Sequence, residues 1–352
     1  MTVTPIIQLR SKSVIIYNKF DNGGVRSLKQ VHAAKQLKER ETYTGQLCPG
    51  AKKRLIKAIE LLTQAAFKYK EFTFTHKKTK KECKAKFKLN FITLTIHNPA
   101  KMIAGKEGHK LCLEPLLKWL RDHYGLNVYV WKAELQQRGQ LHYHITSDCF
   151  IPWFELWKKW GELNERAGYL DQWFNEQPGY KVDERGMLLR NYPVAGTDVH
   201  SVYTVKDMAR YLQKCVCKTV KRKDGSVINE FKKEMQNVES IGGKVWDCSL
   251  NLKREKYFTI DFNGGRSVES YVLEDELSYQ GYLRVINAAK KAAEAKGGAF
   301  YSENCIVYSL PRNAIDYFDC FIRADYYQAM NNILNYKRCG KIELDIGVFS
   351  TS

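Results

Sequence analysis

A chain of 352 residues with 44% hydrophobic content can bury the core of one large domain or two ordinary ones, and it contains no apolar run of the ~18 residues that a membrane span needs. Its first twenty residues mix Thr, Gln, Arg, Ser and Lys where a secretory signal requires an unbroken apolar segment, and its ten cysteines offer no pair of C-x-x-C motifs, so they read as reduced intracellular thiols and not as a disulfide or zinc scaffold. The net charge of +19 attracts polyanions, which makes nucleic acid the expected partner; anionic membrane is disfavoured because the basic residues are not gathered on one amphipathic helix.

Residues 1–50, broken by Gly23, Gly24, Gly45, Pro49 and Gly50, read as an irregular N-terminal arm. Residues 51–87 read as a basic amphipathic helix followed by a hairpin. Leu55, Ala58, Ile59, Leu62 and Ala66 recur at helical spacing, and Phe72, Phe74, Ala85, Phe87 and Leu89 alternate with polar neighbours. The strand Phe91 to Ile96 continues it, but the apolar phase shifts, which implies a bulge near Asn90 or a stretch buried on both faces. Leu111 to Arg121 reads as a helix, and Asn127 to Leu135 and Gln140 to Thr146 as a strand pair. Trp153, Phe154, Trp157, Trp160 and Leu163 fall at helical spacing and read as a core face. Residues 178–196 read as a loop. A strand at His200 to Thr204 leads into a helix from Val205 to about Thr219, capped by Thr204 and Asp207.

The strand pair holds the chemistry. Gln137-Arg138-Gly139 makes a three-residue turn with Gly at the left-handed position, so Gln136 pairs with Gln140, Glu134 lies opposite His142, and Lys132 lies opposite His144. Side chains alternate with period two, so these four share one face, while Tyr129, Trp131, Ala133, Leu135, Leu141, Tyr143 and Ile145 take the other. Val128 and Val130 also fall on the polar face, which leaves the alternation clean only near the turn. Two imidazoles and a carboxylate together suit a divalent cation, and a mixed N/O set fits Mg2+ or Mn2+ at a phosphate-handling site, with zinc an alternative from the ligands alone. Further on, Tyr211 shares a helix face with Lys214 and Lys218, beside a buried stripe of Val205, Met208, Ala209, Leu212 and Val216. Lysines and a metal both favour a phenolate nucleophile.

The strand Phe91 to Ile96, the His142-Tyr143-His144 strand and Tyr211-Leu212-Gln213-Lys214 resemble, in order and type, the three motifs of the HUH endonucleases, in particular the rolling-circle replication initiators of phages and plasmids. The resemblance covers about residues 88–220, with a vaguer one at Gly243 to Leu252. It implies an α+β fold, an antiparallel sheet with helices packed on one face, flanked by N- and C-terminal α/β segments. It also implies that His142 and His144, with Glu134 as third ligand, bind the metal, that Tyr211 is the nucleophile, and that Lys214 steadies metal and phosphate. Thr93 and Thr95 would line the floor of the site and, with Lys218, meet DNA. Cys215 stands where many such initiators carry a second tyrosine, which points to a one-tyrosine enzyme.

The expected domains are thus the arm 1–50, the helix and hairpin 51–87, the nuclease core 88–220 and an α/β region 221–352 without an assigned role. The expected activity is site-specific nicking and religation of single-stranded DNA or an origin hairpin. No G-x-x-x-x-G-K-[ST] is present, so a host helicase must unwind and a host polymerase extend. The resemblance places the protein in the cytoplasm of a bacterial host. The alternatives are a plasmid relaxase, an HUH transposase, or a non-catalytic basic protein that coats nucleic acid.

Overall fold

The computed structural model describes residues 2–10, 13–21, 49–75, 81–98, 103–136, 139–202, 219–221, 227–229, 241, 243–261, 270–272, 283, 286–294, 298–302, 305–310, 313–318 and 320–335. The fold is α+β. Its central sheet has five strands in the order β10-β5-β7-β6-β13, with each neighbouring pair antiparallel: β5 (Leu89–Thr95), β6 (Tyr129–Leu135), β7 (Leu141–Ser147), β10 (Thr197–Val202) and β13 (Trp246–Cys248). The β6–β7 hairpin has the register that its turn dictates. Glu134 pairs with His142 and Lys132 with His144, the Gln136 amide donates to the Gln140 carbonyl, and Gly139 sits at φ +78°, where a side chain would be strained.

One face of this sheet is apolar throughout. Ile92, Leu94, Trp131, Ala133, Leu141, Tyr143 and Ile145 pack against Leu116, Leu117 and Leu120 of α2 (Glu114–Tyr124) and Leu156, Trp160 and Leu163 of α3 (Trp153–Arg166). Each such side chain taken from water contributes roughly 1.5–3 kcal/mol, so this layer fixes the strands that carry the site. The other face is divided. At its far end Leu89, Phe91, Val128 and Val130 enter a second core with Leu55, Ala58, Ile59 and Leu62 of α1 (Pro49–Ala65) and Tyr326, Met330 and Ile333 of α4 (Cys320–Asn335). Only the end near the hairpin turn is left polar. That division accounts for Val128 and Val130, which break the alternation because a second layer covers them.

The first fifty residues are not an irregular arm throughout. β1 (Thr2–Arg10) and β2 (Ser13–Asp21) pair along their whole length at the centre of a six-stranded sheet, β15-β14-β1-β2-β17-β16. Their outer partners, β14 (Thr259–Asp261) and β17 (Cys305–Ser309), come from the last third of the chain. Beyond them, β15 (Ser270–Val272) pairs with β14 in parallel and β16 (Ala299–Ser302) with β17 antiparallel. Region 221–352 therefore supplies strands to both large sheets, since β13 extends the central one.

Other expectations change locally. β3 (Lys70–Thr75) pairs with β4 (Glu82–Phe87), and the chain bends at Lys88 into β5, which is buried on both faces, so the phase shift marks two separate strands and not a bulge at Asn90. The stretch 178–196, read as a loop, contains the small hairpin of β8 (Tyr180–Val182) and β9 (Leu188–Arg190). Trp153 and Phe154, read as core, are 36% and 43% exposed, because α3 turns Trp157, Trp160 and Leu163 inward. The helix expected at 205–219 lies outside the described residues, apart from Thr219, which begins the strand β11 (Thr219–Lys221) and pairs with β12 (Val227–Asn229). No described helix is long and apolar enough to cross a membrane.

His109 opens a π-helical turn, His109–Leu113, ahead of α2, and packs edge-on against Trp131 with ring centroids 4.9 Å apart. Burial, with a lesser contribution from the charge of Lys244, pushes its imidazole down to about 4. The unfolded chain takes up this proton near pH 6.5 and the folded chain only near 4. The contribution of neutral His109 is therefore complete above about pH 6.5 and lost as pH falls towards 4, up to about 3 kcal/mol in all. Between pH 7.5 and 4.5 the melting temperature of His109→Phe should fall less than that of the wild type; an equal fall would refute the assignment.

Candidate metal centre

The polar end of the central sheet gathers residues from three strands. The register places Thr95 opposite His142 and Thr93 opposite His144 on one side of β7, with Glu134 and Lys132 opposite the same two histidines on the other. Directly opposed residues share a face, so all six side chains converge. His142, His144, Lys132 and Thr95 are buried, while the Glu134 side chain keeps 36% of its surface open.

His144 Nε2 lies 3.0 Å from Glu134 Oε1, and Lys132 Nζ donates to Glu134 Oε2 at 3.2 Å. Thr95 Oγ1 is 2.8 Å from His142 Nδ1, and Thr93 Oγ1 is 3.3 Å from His144 Nδ1. The Gln136 amide nitrogen also reaches His142 Nδ1, at 3.0 Å. The two imidazole rings stand nearly perpendicular, 4.5 Å between centroids, and Phe91 stacks on His144. With each Nδ1 directed at a threonine hydroxyl, Nε2 is the nitrogen left to meet a ligand, an orientation that outer hydrogen bonds impose at many metal sites.

The electrostatics match that use. Burial raises the Glu134 carboxyl, but the hydrogen bond from His144 and the charge of Lys132 outweigh it and hold the group at about 2. Burial, then the neighbouring His144, pushes His142 down to about 4. At neutral pH the site thus presents an ionised carboxylate beside a neutral imidazole, the protonation states that a divalent cation requires. One ligand atom from each of Glu134, His142 and His144 lies within 4.8 Å of the others, so the donor set fits a metal ion by chemistry and by spacing.

The structure therefore brings Glu134, His142, His144, Thr93 and Thr95 together. Thr93 and Thr95 do lie on the floor of the site, with their hydroxyls directed at the imidazoles. Tyr211, Lys214 and Lys218 lie outside the described residues. Two residues escaped the sequence reading. Asp198 pairs with Thr93 and His200 with Phe91 across β10 and β5, which puts both on the site face, and Asp198 Oδ2 lies 2.6 Å from His200 Nε2. The signal was their period-two spacing on the strand before Tyr211, but their position depends on a partner strand some hundred residues earlier.

An antiparallel sheet with helices on one face and a histidine–carboxylate cluster on the other defines an α+β domain with a candidate metal centre. Residues 89–220 match the family model of the replication-associated proteins of the ORF2 type, and over that stretch, which runs from β5 past β10 and holds the whole centre, the chain is a member of this replication-associated family. No curated protein and no solved structure matches the chain.

Proposed function

We propose that this protein initiates rolling-circle replication by nicking one strand of DNA and holding the cut end covalently. The observation that carries the reading is the convergence of Glu134, His142 and His144 inside the segment that matches a replication-associated family. These three residues hold Mg2+ or Mn2+, which when bound polarises a non-bridging oxygen of the scissile phosphate. Basic residues, Lys218 among them, bind the origin, with the nick site presented as single strand or as a hairpin. Lys214 steadies the phosphate, and the phenolic oxygen of Tyr211 attacks phosphorus in line. A P–O bond to Tyr211 forms as the P–O3′ bond breaks; the phenol gives up its proton and the departing 3′ oxygen takes one, which leaves a 5′-phosphotyrosine and a free 3′-hydroxyl. The phosphodiester energy is kept for religation, and a host polymerase extends the 3′ end behind a host helicase.

Incubation with circular single-stranded DNA and Mn2+, followed by a denaturing gel, tests this. A protein-linked DNA band that EDTA suppresses is expected. Binding without cleavage would favour a non-catalytic nucleic-acid-binding protein, and cleavage without a linked band would exclude the tyrosine.

A further inference from the structure

Lys132 is placed where a core residue would be expected. It continues the run Val128, Val130 towards the site, and its side chain is only 8% exposed, yet it carries a full positive charge among the candidate ligands. Lysine is seldom buried to this degree, and burying its charge is costly unless an anion is at hand. Here the anion is Glu134. One carboxylate oxygen takes Lys132 Nζ and the other faces His144, so the carboxylate that would serve as the anionic metal ligand already bears a cation.

Charge balance at the centre depends on this pairing. Glu134 and Lys132 form a neutral pair, and a divalent cation added to it leaves a surplus of positive charge in a buried place, which weakens binding. A phosphodiester removes part of that surplus. It also offers the displaced ammonium a new acceptor, since lysine is a compact charge on a flexible stem with three donors.

We propose that Lys132 is a phosphate-binding residue that rests on Glu134 until that carboxylate is shared with the divalent cation, and then moves to an oxygen of the DNA phosphate, so that cation and DNA bind cooperatively. This rests on the reading of the site as a metal centre that acts on DNA. It makes Lys132 a brake on metal loading without substrate and a substrate contact once loaded. The sign of the effect is diagnostic, because general electrostatics give the opposite result: divalent ions screen DNA and weaken its binding to a basic protein.

Calorimetric titration of the full chain with Mn2+, alone and with a short oligothymidylate, tests the proposal. The wild type should bind Mn2+ about tenfold more tightly or better when the oligonucleotide is present. Lys132→Met should bind Mn2+ about tenfold more tightly than wild type without the oligonucleotide and lose most of the further gain with it. Equal wild-type affinity under the two conditions overturns the proposal without any variant, as does a Lys132→Met or Lys132→Gln protein whose Mn2+ affinity is unchanged or weaker. A His144→Ala control separates the two levels. If His144→Ala binds Mn2+ as the wild type does, the metal-centre reading fails and takes this role for Lys132 with it; if Mn2+ affinity falls in His144→Ala but ignores Lys132, only the present proposal fails.

Discussion

Tyr211→Phe is expected to lower the rate of nicking by about 10⁴-fold or more and to abolish the protein–DNA adduct, while DNA affinity changes by less than about threefold. The substitution deletes one oxygen and keeps the ring, so its effect is confined to the nucleophile. The described strands set a limit that the assignment must meet. β10 ends at Val202, which pairs with Leu89, and the site lies four residues along β5 at Thr93, about 13 Å away at roughly 3.3 Å per residue. Tyr211 follows Val202 by nine residues, and such a segment spans up to about 30 Å when extended. Tyr211 is thus within reach of the centre, even though β10 runs away from it. Adduct formation can be followed on denaturing gels and affinity by fluorescence anisotropy; a Tyr211→Phe protein that still cuts at the wild-type rate would remove the nucleophile from the mechanism.

The metal cluster was legible in the sequence because its geometry is local. A three-residue turn with Gly139 fixes the pairing of Glu134 with His142, and alternation does the rest within a few residues on either side. The features that stayed hidden depend on distant partners. Thr93 and Thr95 could be placed beneath the site only through the family resemblance; the hydrogen bonds that aim each threonine at one imidazole follow from the β5–β7 register, across about fifty residues. Asp198 and His200 join the face only because β10 pairs with the other edge of β5. β1 and β2 looked like an arm because the breakers after them are local, whereas β14 and β17, which hold them in a sheet, come more than two hundred residues later. Lys132 was visible as a neighbour of the histidines, but its burial was not, since that depends on the layer of α1 and α4 over Val128 and Val130.

Glu134→Gln should be nearly as damaging to function as the loss of Tyr211, and for a separable reason. The amide keeps the shape of the side chain but removes the one anionic ligand of the three, so Mn2+ affinity is expected to fall by roughly 10–100-fold and metal-dependent nicking to background. The same change leaves the Lys132 ammonium without its carboxylate, and breaking a buried ion pair from one side destabilises a protein more than removing both members. Because Glu134 is about a third exposed, that cost should be modest, about 1–2 kcal/mol, and visible as a lower melting temperature. Adding Lys132→Met to Glu134→Gln removes the stranded charge and lets an apolar side chain continue the run from Val128 and Val130, so the double variant should regain the lost stability. It should not regain nicking, because the anionic ligand is still missing. Melting curves and nicking assays on the wild type, Glu134→Gln and the double variant therefore separate the two roles. Stability and activity that recovered together would mean that Glu134 serves only to neutralise Lys132, and the carboxylate would no longer count as a metal ligand.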